Sequence, residues 1–261
     1  MRRLVQVVAD YGPGELAFAE LLQRLAVAVP DGVVNATVVD PGDTLAAGLC
    51  VAQLALADGP PGWIVVHDVG AGQRLLLGVS RRGALIVGPD AGWSWSFVVD
   101  ELRDLFFLDV PGRPTGRPAR DLVPLGVRHA VTRHPHAVSA SVPRDCVPAL
   151  PACAIAWIDR CGNLETTLSR PPAAVGERLR VDIGEARATA IVADDRLAVP
   201  EGELSLAPGS LGWPTRDGDR RRLLGLGVRG GSAAERFDNP PAGTPVLLAP
   251  VQPRAAAQPV S

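Results

Sequence analysis

The chain of 261 residues carries two hydrophobic patterns, each of which dominates one half. In the first half, short apolar runs alternate with longer segments whose apolar residues recur about every 3.6 positions, the period of an α-helix. The strands predicted there are 4–8, 33–39, 63–67, 75–79 and 84–87, and the helices are 15–29, 45–57 and 98–107. Asp43 or Thr44 is the expected N-cap of the second helix. These alternating spacings predict an α/β domain with a mainly parallel sheet flanked by helices.

In the second half, short runs of alternating apolar and polar residues replace the helical period. The strands predicted there are 154–158, 178–183, 186–192, 202–206, 223–228 and 246–248. Short strands at this spacing favour a small antiparallel, all-β barrel-like domain or a sandwich. The predicted domains are therefore residues 1–131 and 154–250. A linker at 132–153, containing proline and histidine, and a flexible tail at 251–261 complete the chain.

Composition and charge exclude several classes of protein. Hydrophobic residues make up 47% and charged residues 21% of the chain, which is typical of a globular protein rather than a disordered one. The net charge is −2, so there is no basic field to attract nucleic acid. The apolar run that follows Arg3 is broken by Asp10, so we predict neither an export signal nor a membrane span.

Cysteine and histidine spacing gives no sign of a metal site. The four cysteines are Cys50, Cys146, Cys153 and Cys161, and none forms a C-x-x-C pair. Without an export signal, they are expected to be reduced thiols in a cytoplasmic protein, with a disulfide between Cys146 and Cys153 as the alternative. His134 and His136 flank a proline. Two histidines in such a segment are more often solvated loop residues than metal ligands.

Candidate chemistry is concentrated at three turns. Asp10 and Tyr11 follow the first strand, at the sheet edge where ligands of α/β proteins gather, and a carboxylate there suits a ribose diol. Asp68 and Arg74 flank a glycine-rich loop after the third strand. That loop lacks the third glycine of a dinucleotide fingerprint and the lysine of a P-loop. The alternatives are an ordinary turn in the first case and a surface ion pair in the second.

The third turn joins two short predicted strands. An acid, a base and an amide, at Asp159, Arg160 and Asn163, converge around Gly162, which permits a tight reversal. Such a hairpin can hold a small polar ligand, and a plain hairpin with a polar tip is the alternative.

This third turn also carries a family resemblance. Residues 157–168, WIDRCGNLETTL, resemble the signature Ile-Asp-Arg-Phe-Gly-Asn-Leu-x-Thr-Asn of the S-adenosylmethionine (SAM) hydroxide adenosyltransferases. These SAM hydrolases are related to the fluorinase and the chlorinase. Residues 67–74, 87–92, 202–213 and 223–237 resemble further signatures of the family in the same order, so the resemblance spans about residues 4 to 249.

The resemblance implies a fold, a reaction and an assembly. Family members have an N-terminal α/β domain and a C-terminal β-barrel. They form homotrimers with sites at subunit interfaces. Water attacks C5′ of SAM and yields adenosine and L-methionine, with SAM as substrate and no cofactor. Carried over, Asp68 and Arg74 position the water, and the residues that contact substrate are Asp10, Tyr11, Asp159, Asn163, Ser210, Ser232 and Ala233.

Several departures from the family pattern leave two functions open. Pro118 stands where the hydrolases have the histidine of the water-positioning set, and the halogenases have tyrosine there. Cys161 replaces an aromatic residue, Arg229 an asparagine and Gly225 a glutamate. The chain is therefore either a hydrolase that is slow or has a rearranged site, in which His67 or an ordered water takes the place of the missing imidazole, or a SAM- or adenosine-binding protein without turnover. A halide nucleophile is disfavoured, because the carboxylate of Asp68 repels anions.

Overall fold

The computed structural model describes residues 2–72, 74–110, 118–134 and 137–251, with the backbone alone for 118–120. The chain divides into two compact units. The first comprises Met1–Leu150 and Leu211–Arg221, and the second comprises Pro151–Ser210 and Arg222–Ser261. The predicted tail, apart from Val251, and residues 111–117 lie outside the described residues. Among the helices of the described residues, none has the length and apolar character needed to cross a membrane.

The first unit is built on a seven-stranded sheet with strand order β2-β1-β3-β5-β4-β6-β7. Its strands are β1 Arg3–Ala9, β2 Gly32–Val38, β3 Ile64–Asp68, β4 Leu75–Ser80, β5 Leu85–Pro89, β6 Leu102–Leu108 and β7 Val138–Ser141. Its helices are α1 Leu16–Ala28, α2 Thr44–Leu56 and α3 Pro118–Thr132. Strands β1, β2, β3 and β5 are parallel, while β4, β6 and β7 pair antiparallel. The α/β class is confirmed, but the sheet is mixed rather than mainly parallel.

The helices of this unit cover both faces of the sheet. Helices α1 and α3 bury Leu21, Leu25 and Val123 against the face that carries Val5 and Val66. Helix α2 packs against β1, β3 and β5, and its buried residues lie outside that cluster, on the opposite face. The strands of a sheet that is covered on both faces are apolar along most of their length. This is why β1 and β3 were recognisable in the sequence. Asp43 caps α2, since its side chain accepts a hydrogen bond from the Ala46 amide at 2.9 Å.

Two predictions for this unit are wrong. Residues 98–107 are not a helix, because Leu102–Leu108 forms β6 beside β4. A bulge opposite Val79 and Ser80 interrupts the alternation, and the buried residues of β6 fall three apart, which imitates a helical period. Nor is 132–153 a linker, because β7 adds a strand to the edge of the sheet at β6. All four β7 residues are exposed, so no apolar pattern in the sequence indicates this strand.

The second unit contains a seven-stranded sheet with strand order β14-β10-β11-β12-β13-β9-β8. Its elements are β8 Ile155–Ile158, β9 Leu164–Thr166, β10 Arg178–Ile183, β11 Ala186–Val192, β12 Leu204–Pro214, β13 Arg220–Val228, α4 Ala233–Arg236 and β14 Val246–Pro250. The sheet curls until the segments that precede its two edge strands meet at an Ala154–Pro245 bridge. The Ile155 amide donates there to the Thr244 carbonyl at 3.0 Å. The predicted barrel-like character is confirmed in this coarse form.

The hairpin between β12 and β13 corrects the predicted second domain, 154–250, because Leu211–Arg221 belongs to the first unit. The Gly212 amide donates to Gln53 Oε1 at 2.9 Å, and the Arg216 amide donates to Glu101 Oε2 at 2.7 Å. The Trp213 ring is fully buried and packs edge-on against Phe97. Trp213 is thus a core residue of the first unit.

Candidate functional site

The first candidate site lies where β1 and β3 end side by side. In the parallel register, Ala9 is opposite Asp68, so Asp10 and Asp68 reach the same edge of the sheet. The Tyr11 hydroxyl donates a hydrogen bond to Asp68 Oδ2, and Asp68 is only 3% exposed. The structure therefore brings three predicted residues, Asp10, Tyr11 and Asp68, into one group, named here the sheet-edge cluster.

Backbone amides from two loops face this cluster. Asp10 Oδ2 accepts hydrogen bonds from the Gly42 amide at 2.9 Å and the Gly70 amide at 3.4 Å. Gly70 has a φ of +74°, and a Cβ there would lie 3.0 Å from the Thr44 methyl group. A side chain at position 70 would therefore be strained and crowded. Glycine lets the loop after β3 approach α2 closely and direct its amide at the carboxylate.

Arg74 does not join the cluster. Its Nη2 pairs with Asp90 Oδ2 at 3.1 Å, and its guanidinium lies 4.1 Å from the centre of the Phe107 ring. Because β4 runs antiparallel to β5, the start of β4 lies against the end of β5, where the Asp90 amide donates to the Arg74 carbonyl at 2.8 Å. Among the described residues, Arg74 therefore pairs with Asp90 and not with Asp68, so the surface ion pair named as the alternative does not join Arg74 to Asp68.

His67 does not replace the missing imidazole. Side chains alternate along a strand, so His67 points away from the face to which Asp68 points. Its ring is fully buried, packs edge-on against Trp95 at 5.3 Å, and sits where a Cβ on Gly88 would be. Neither ring nitrogen has a partner among the described residues. Burial lowers the pKa of His67 to about 3, so the ring is neutral at pH 7. Pro118 itself is the first residue of α3.

Acid is expected to destabilise the first unit through His67. The imidazole pKa falls from 6.5 to about 3 on folding because the ring is buried, so the unfolded chain binds more protons between these values. The stability contributed by neutral His67 is complete above the unfolded pKa. It is lost as the pH falls toward the folded pKa, by up to about 1.4 kcal/mol per pH unit. Urea unfolding at a series of pH values measures this slope.

The matched control for this measurement is His67→Leu, which cannot titrate and keeps an apolar side chain at the site. Its stability is expected to vary less steeply with pH over the same interval. The same slope in both proteins would contradict the assignment of a neutral, buried His67.

A second polar group lies in the second unit, at the turn between β8 and β9. Asp159 Oδ1 accepts hydrogen bonds from the amides of Cys161 at 2.8 Å and Asn163 at 2.9 Å, and Oδ2 accepts one from Asn163 Nδ2 at 2.7 Å. Burial alone would raise the pKa of Asp159, but these bonds and Arg196 outweigh it and hold the pKa below its ordinary value. The carboxylate is therefore ionised, and it orders its own turn.

Ser232 and the start of α4 lie beside this turn. Gly162 has a φ of +76°, and a Cβ there would collide with the Ser232 hydroxyl. The Gly162 carbonyl accepts a hydrogen bond from the Ala234 amide at 2.8 Å, and Ser232 caps α4 by accepting from the Glu235 amide at 3.1 Å. Ser210 is exposed on β12, and no hydrogen bond joins it to this turn within the described part of the chain.

A buried ion pair beside the turn escaped the sequence analysis. Glu165, 1% exposed, accepts a hydrogen bond from Arg196, whose side chain is 16% exposed and lies 3.9 Å from Asp159 Oδ2. A Cβ on Gly209 would meet the Glu165 carboxylate, and one on Gly225 would meet the Arg196 guanidinium. Glu165 Oε2 and Arg196 Nε have no partner among the described residues.

One signal in the sequence pointed to this pair. The family resemblance implies a glutamate at position 225, where this chain has glycine. Gly225 lies directly opposite Glu165 in the β9–β13 register. The space that a side chain at position 225 would occupy is taken by the Arg196 guanidinium, which the Cβ of such a side chain would meet. Without the pairing of β9 with β13, the two positions are unrelated in the sequence.

The described residues contain no group of three or more His, Cys, Asp or Glu that could hold a metal ion. The polar groups just described are instead a carboxylate pair with a tyrosine in the first unit, and a carboxylate, amide and hydroxyl in the second. Each group offers hydrogen-bond acceptors to a small polar ligand.

Comparisons with known proteins bear on the fold. No protein-family model matches the chain, and no curated protein matches it. A structure of an uncharacterized conserved protein from Thermotoga maritima is similar, with a TM-score of 0.73, 18% identity, and coverage of 94% of this chain and 100% of that one. A conserved hypothetical protein from Thermus thermophilus is similar with a TM-score of 0.67, 29% identity, and coverage of 95% and 100%. These likenesses support the fold, and neither name states an activity.

Proposed function

We propose that this protein is a SAM hydrolase, which releases L-methionine and adenosine. The observation that carries the proposal is the sheet-edge cluster. Two carboxylates meet there at the end of parallel strands, one facing backbone amides and the other held by a tyrosine hydroxyl. Ligands of open α/β sheets bind at this edge. The family resemblance supplies the substrate, and the geometry suits it.

In the proposed reaction, the oxygen of water forms a bond to C5′ of the ribose as the C5′–S bond breaks. The bonding electrons pass to the sulfonium sulfur, so methionine leaves as a neutral thioether without needing a proton. The water must lose a proton, and Asp68 accepts it. Asp10 accepts hydrogen bonds from the ribose hydroxyls. Positioning of the water in line with the breaking bond and partial removal of its proton are the main contributions.

Tyr11 gives this chain a group that the family pattern lacks. The family has phenylalanine at this position, and here the added hydroxyl donates to Asp68. This bond fixes the orientation of the carboxylate, a role that Arg74 does not perform because it pairs with Asp90. In the proposal, Tyr11 is a positioning residue for Asp68 and also a wall of the substrate site.

The second unit supplies the remaining contacts in the proposal. Asn163 faces the adenine edge, Ser232 and the Ala233 backbone lie near the base, Asp159 meets the methionine amino group, and Ser210 meets its carboxylate. The lowered pKa of Asp159 keeps the negative charge that an ammonium group requires. The resemblance implies a homotrimer with its substrate at subunit interfaces, and the proposal includes that assembly and a cytoplasmic location.

A second candidate function is a SAM- or adenosine-binding protein without turnover. The observation that favours it is the contact between Arg74 and Asp90. With Arg74 turned away and Pro118 at the histidine position, two of the three family residues that position water do not act on it.

Incubation of the purified protein with SAM separates the two functions. We expect adenosine and methionine to appear in equal amounts by chromatography, because one C5′–S bond is broken per turnover. Asp10→Ala is expected to abolish this release, since the ribose loses its acceptor. Intact SAM together with a rise in melting temperature would establish the binding protein instead. If no product forms and SAM does not change the melting temperature, both functions are overturned.

A further inference from the structure

A cavity of about 540 Å³ lies at the other end of the first unit's sheet. Arg3 and Leu85, the first residues of β1 and β5, line it together with Gly62, which precedes β3. The sheet-edge cluster follows the last residues of β1 and β3, so Arg3, Gly62 and Leu85 lie at the opposite edge of the sheet from the candidate active site. The proposed hydrolysis makes no use of it.

The polar lining of this cavity is basic. Its charged or titratable side chains are Arg3, Arg103, Arg133, His129 and His134, and none of the described residues that line it carries a carboxylate. Arg103 pairs with Asp104 at 2.7 Å, whereas Arg3 and Arg133 form no ion pair with a described residue. The set is named here the basic cavity. Its positive character is local, because the whole chain has a net charge of −2.

Two histidines of the lining stack on each other. His129 and His134 stack with their ring centres 4.6 Å apart and their planes 21° from parallel. His129 is 9% exposed, and its Nδ1 has no partner among the described residues. Burial first, and then the positive fields of His134 and Arg128, lower the pKa of His129. Stacked rings direct their lone pairs along parallel planes, so the two histidines do not converge on one metal ion.

Features of the opposite sign also lie close by, namely the Asp104 carboxylate that pairs with Arg103 and the carbonyl end of α3. Helix α3 ends at Thr132, so its carbonyl end faces this region with about half a negative charge. The guanidinium groups of Arg3 and Arg133, which form no ion pair with a described residue, together exceed that partial charge. The remaining lining is apolar and includes Leu77, Leu108 and Val131.

We propose that the basic cavity binds a small phosphate ester whose body is apolar or aromatic. Guanidinium groups form paired hydrogen bonds with phosphate oxygens, and the apolar lining receives the body of the ligand. A volume of 540 Å³ exceeds the needs of a bare phosphate and falls within the range of about 300–1,000 Å³ found for small-molecule sites. The proposal is independent of SAM hydrolysis.

Calorimetric titration of the intact protein tests this site. The probes are uridine diphosphate, pyrophosphate and uridine, chosen without adenine so that they do not resemble the proposed substrate. Uridine diphosphate is expected to bind with a dissociation constant below about 1 mM, pyrophosphate more weakly, and uridine without measurable heat. Added salt is expected to weaken the binding of both anions.

Arg133→Asn locates the site. Arg133 has a φ of +50°, a conformation that asparagine tolerates well, so this substitution removes the charge without straining the turn. It is expected to weaken uridine diphosphate binding about tenfold or more, because charge-assisted hydrogen bonds are lost. Arg170→Gln, on an exposed loop of the second unit, removes the same charge and is expected to leave the affinity unchanged.

Three results would overturn the proposal. The first is that neither anion gives measurable heat at concentrations up to several times about 1 mM. The second is equal weakening by Arg133→Asn and Arg170→Gln, which would mean that only overall charge matters. The third is pyrophosphate binding as tightly as uridine diphosphate, which would remove any role for the body of the ligand.

Discussion

Asp68→Asn is expected to lower the rate of methionine release from SAM by a factor of about 10² to 10⁴, the usual contribution of a positioned general base. Asparagine has nearly the shape of aspartate but does not accept the proton that water must lose. Because Asp10 and the second unit make the contacts proposed for the substrate, SAM affinity is expected to stay within a few-fold. Single-turnover chromatography gives the rate, and calorimetry with the variant gives the affinity.

Tyr11→Phe is the companion variant, since it removes only the hydroxyl that donates to Asp68. Its rate is expected to fall less than that of Asp68→Asn, and the double variant is expected to be no slower than Asp68→Asn alone, because both residues act through one carboxylate. Unchanged release in Asp68→Asn would remove that carboxylate from the mechanism. A loss of affinity equal to the loss of rate would make Asp68 a binding residue.

The largest effect on stability is expected at the buried ion pair of the second unit. Arg196→Met leaves Glu165, 1% exposed, without its guanidinium partner. Removing one member of a buried pair typically costs about 3–5 kcal/mol, because the remaining charge is buried without compensation. Urea unfolding of the variant and the parent protein measures this difference in the free energy of unfolding.

Two further variants separate lost charge compensation from lost packing. Glu165→Leu combined with Arg196→Met removes both charges and is expected to recover most of the stability, since paired replacement by apolar residues is often neutral. Arg187→Met, whose side chain is 67% exposed beside Asp182, makes the same substitution at a surface pair, where the effect is expected to be below about 1 kcal/mol. A double variant as unstable as Arg196→Met would show that packing, not charge, is the cause.

The ion pair also indicates how the second unit departs from the family pattern. The expected glutamate at position 225 is glycine here, and Glu165 lies opposite it in the strand pair. Gly227 lies beside both Asn163 and Arg196. A Cβ at this position would lie only 2.8 Å from Asn163 Oδ1, so a larger residue would be crowded there. The departure at Gly225 is therefore linked to Arg196 and Glu165, and through them to the turn that holds Asp159.

The sequence by itself determined the features that depend on local pattern. Apolar periodicity located α1, α2, β1 and β3, and turn chemistry placed Asp10 and Asp68 at strand ends. Parallel strands carry such ends to one edge, so the contact between Tyr11 and Asp68 lay within reach of sequence reasoning. The turn from Asp159 to Asn163 was likewise predictable, because its hydrogen bonds join residues at most four positions apart.

Only the tertiary structure decided the features that depend on which strands pair. The antiparallel pairing of β4 with β5 places Arg74 beside Asp90, and the packing of β3 places the His67 ring in the core. Pairing with β4 also makes 102–108 a strand, although its buried residues have a helical spacing. The pairing of β9 with β13 places Glu165 opposite Gly225. Local patterns record which residues are apolar and where the chain turns. Partners distant in sequence are chosen by the free energy of the whole packed sheet, which no short stretch of sequence contains.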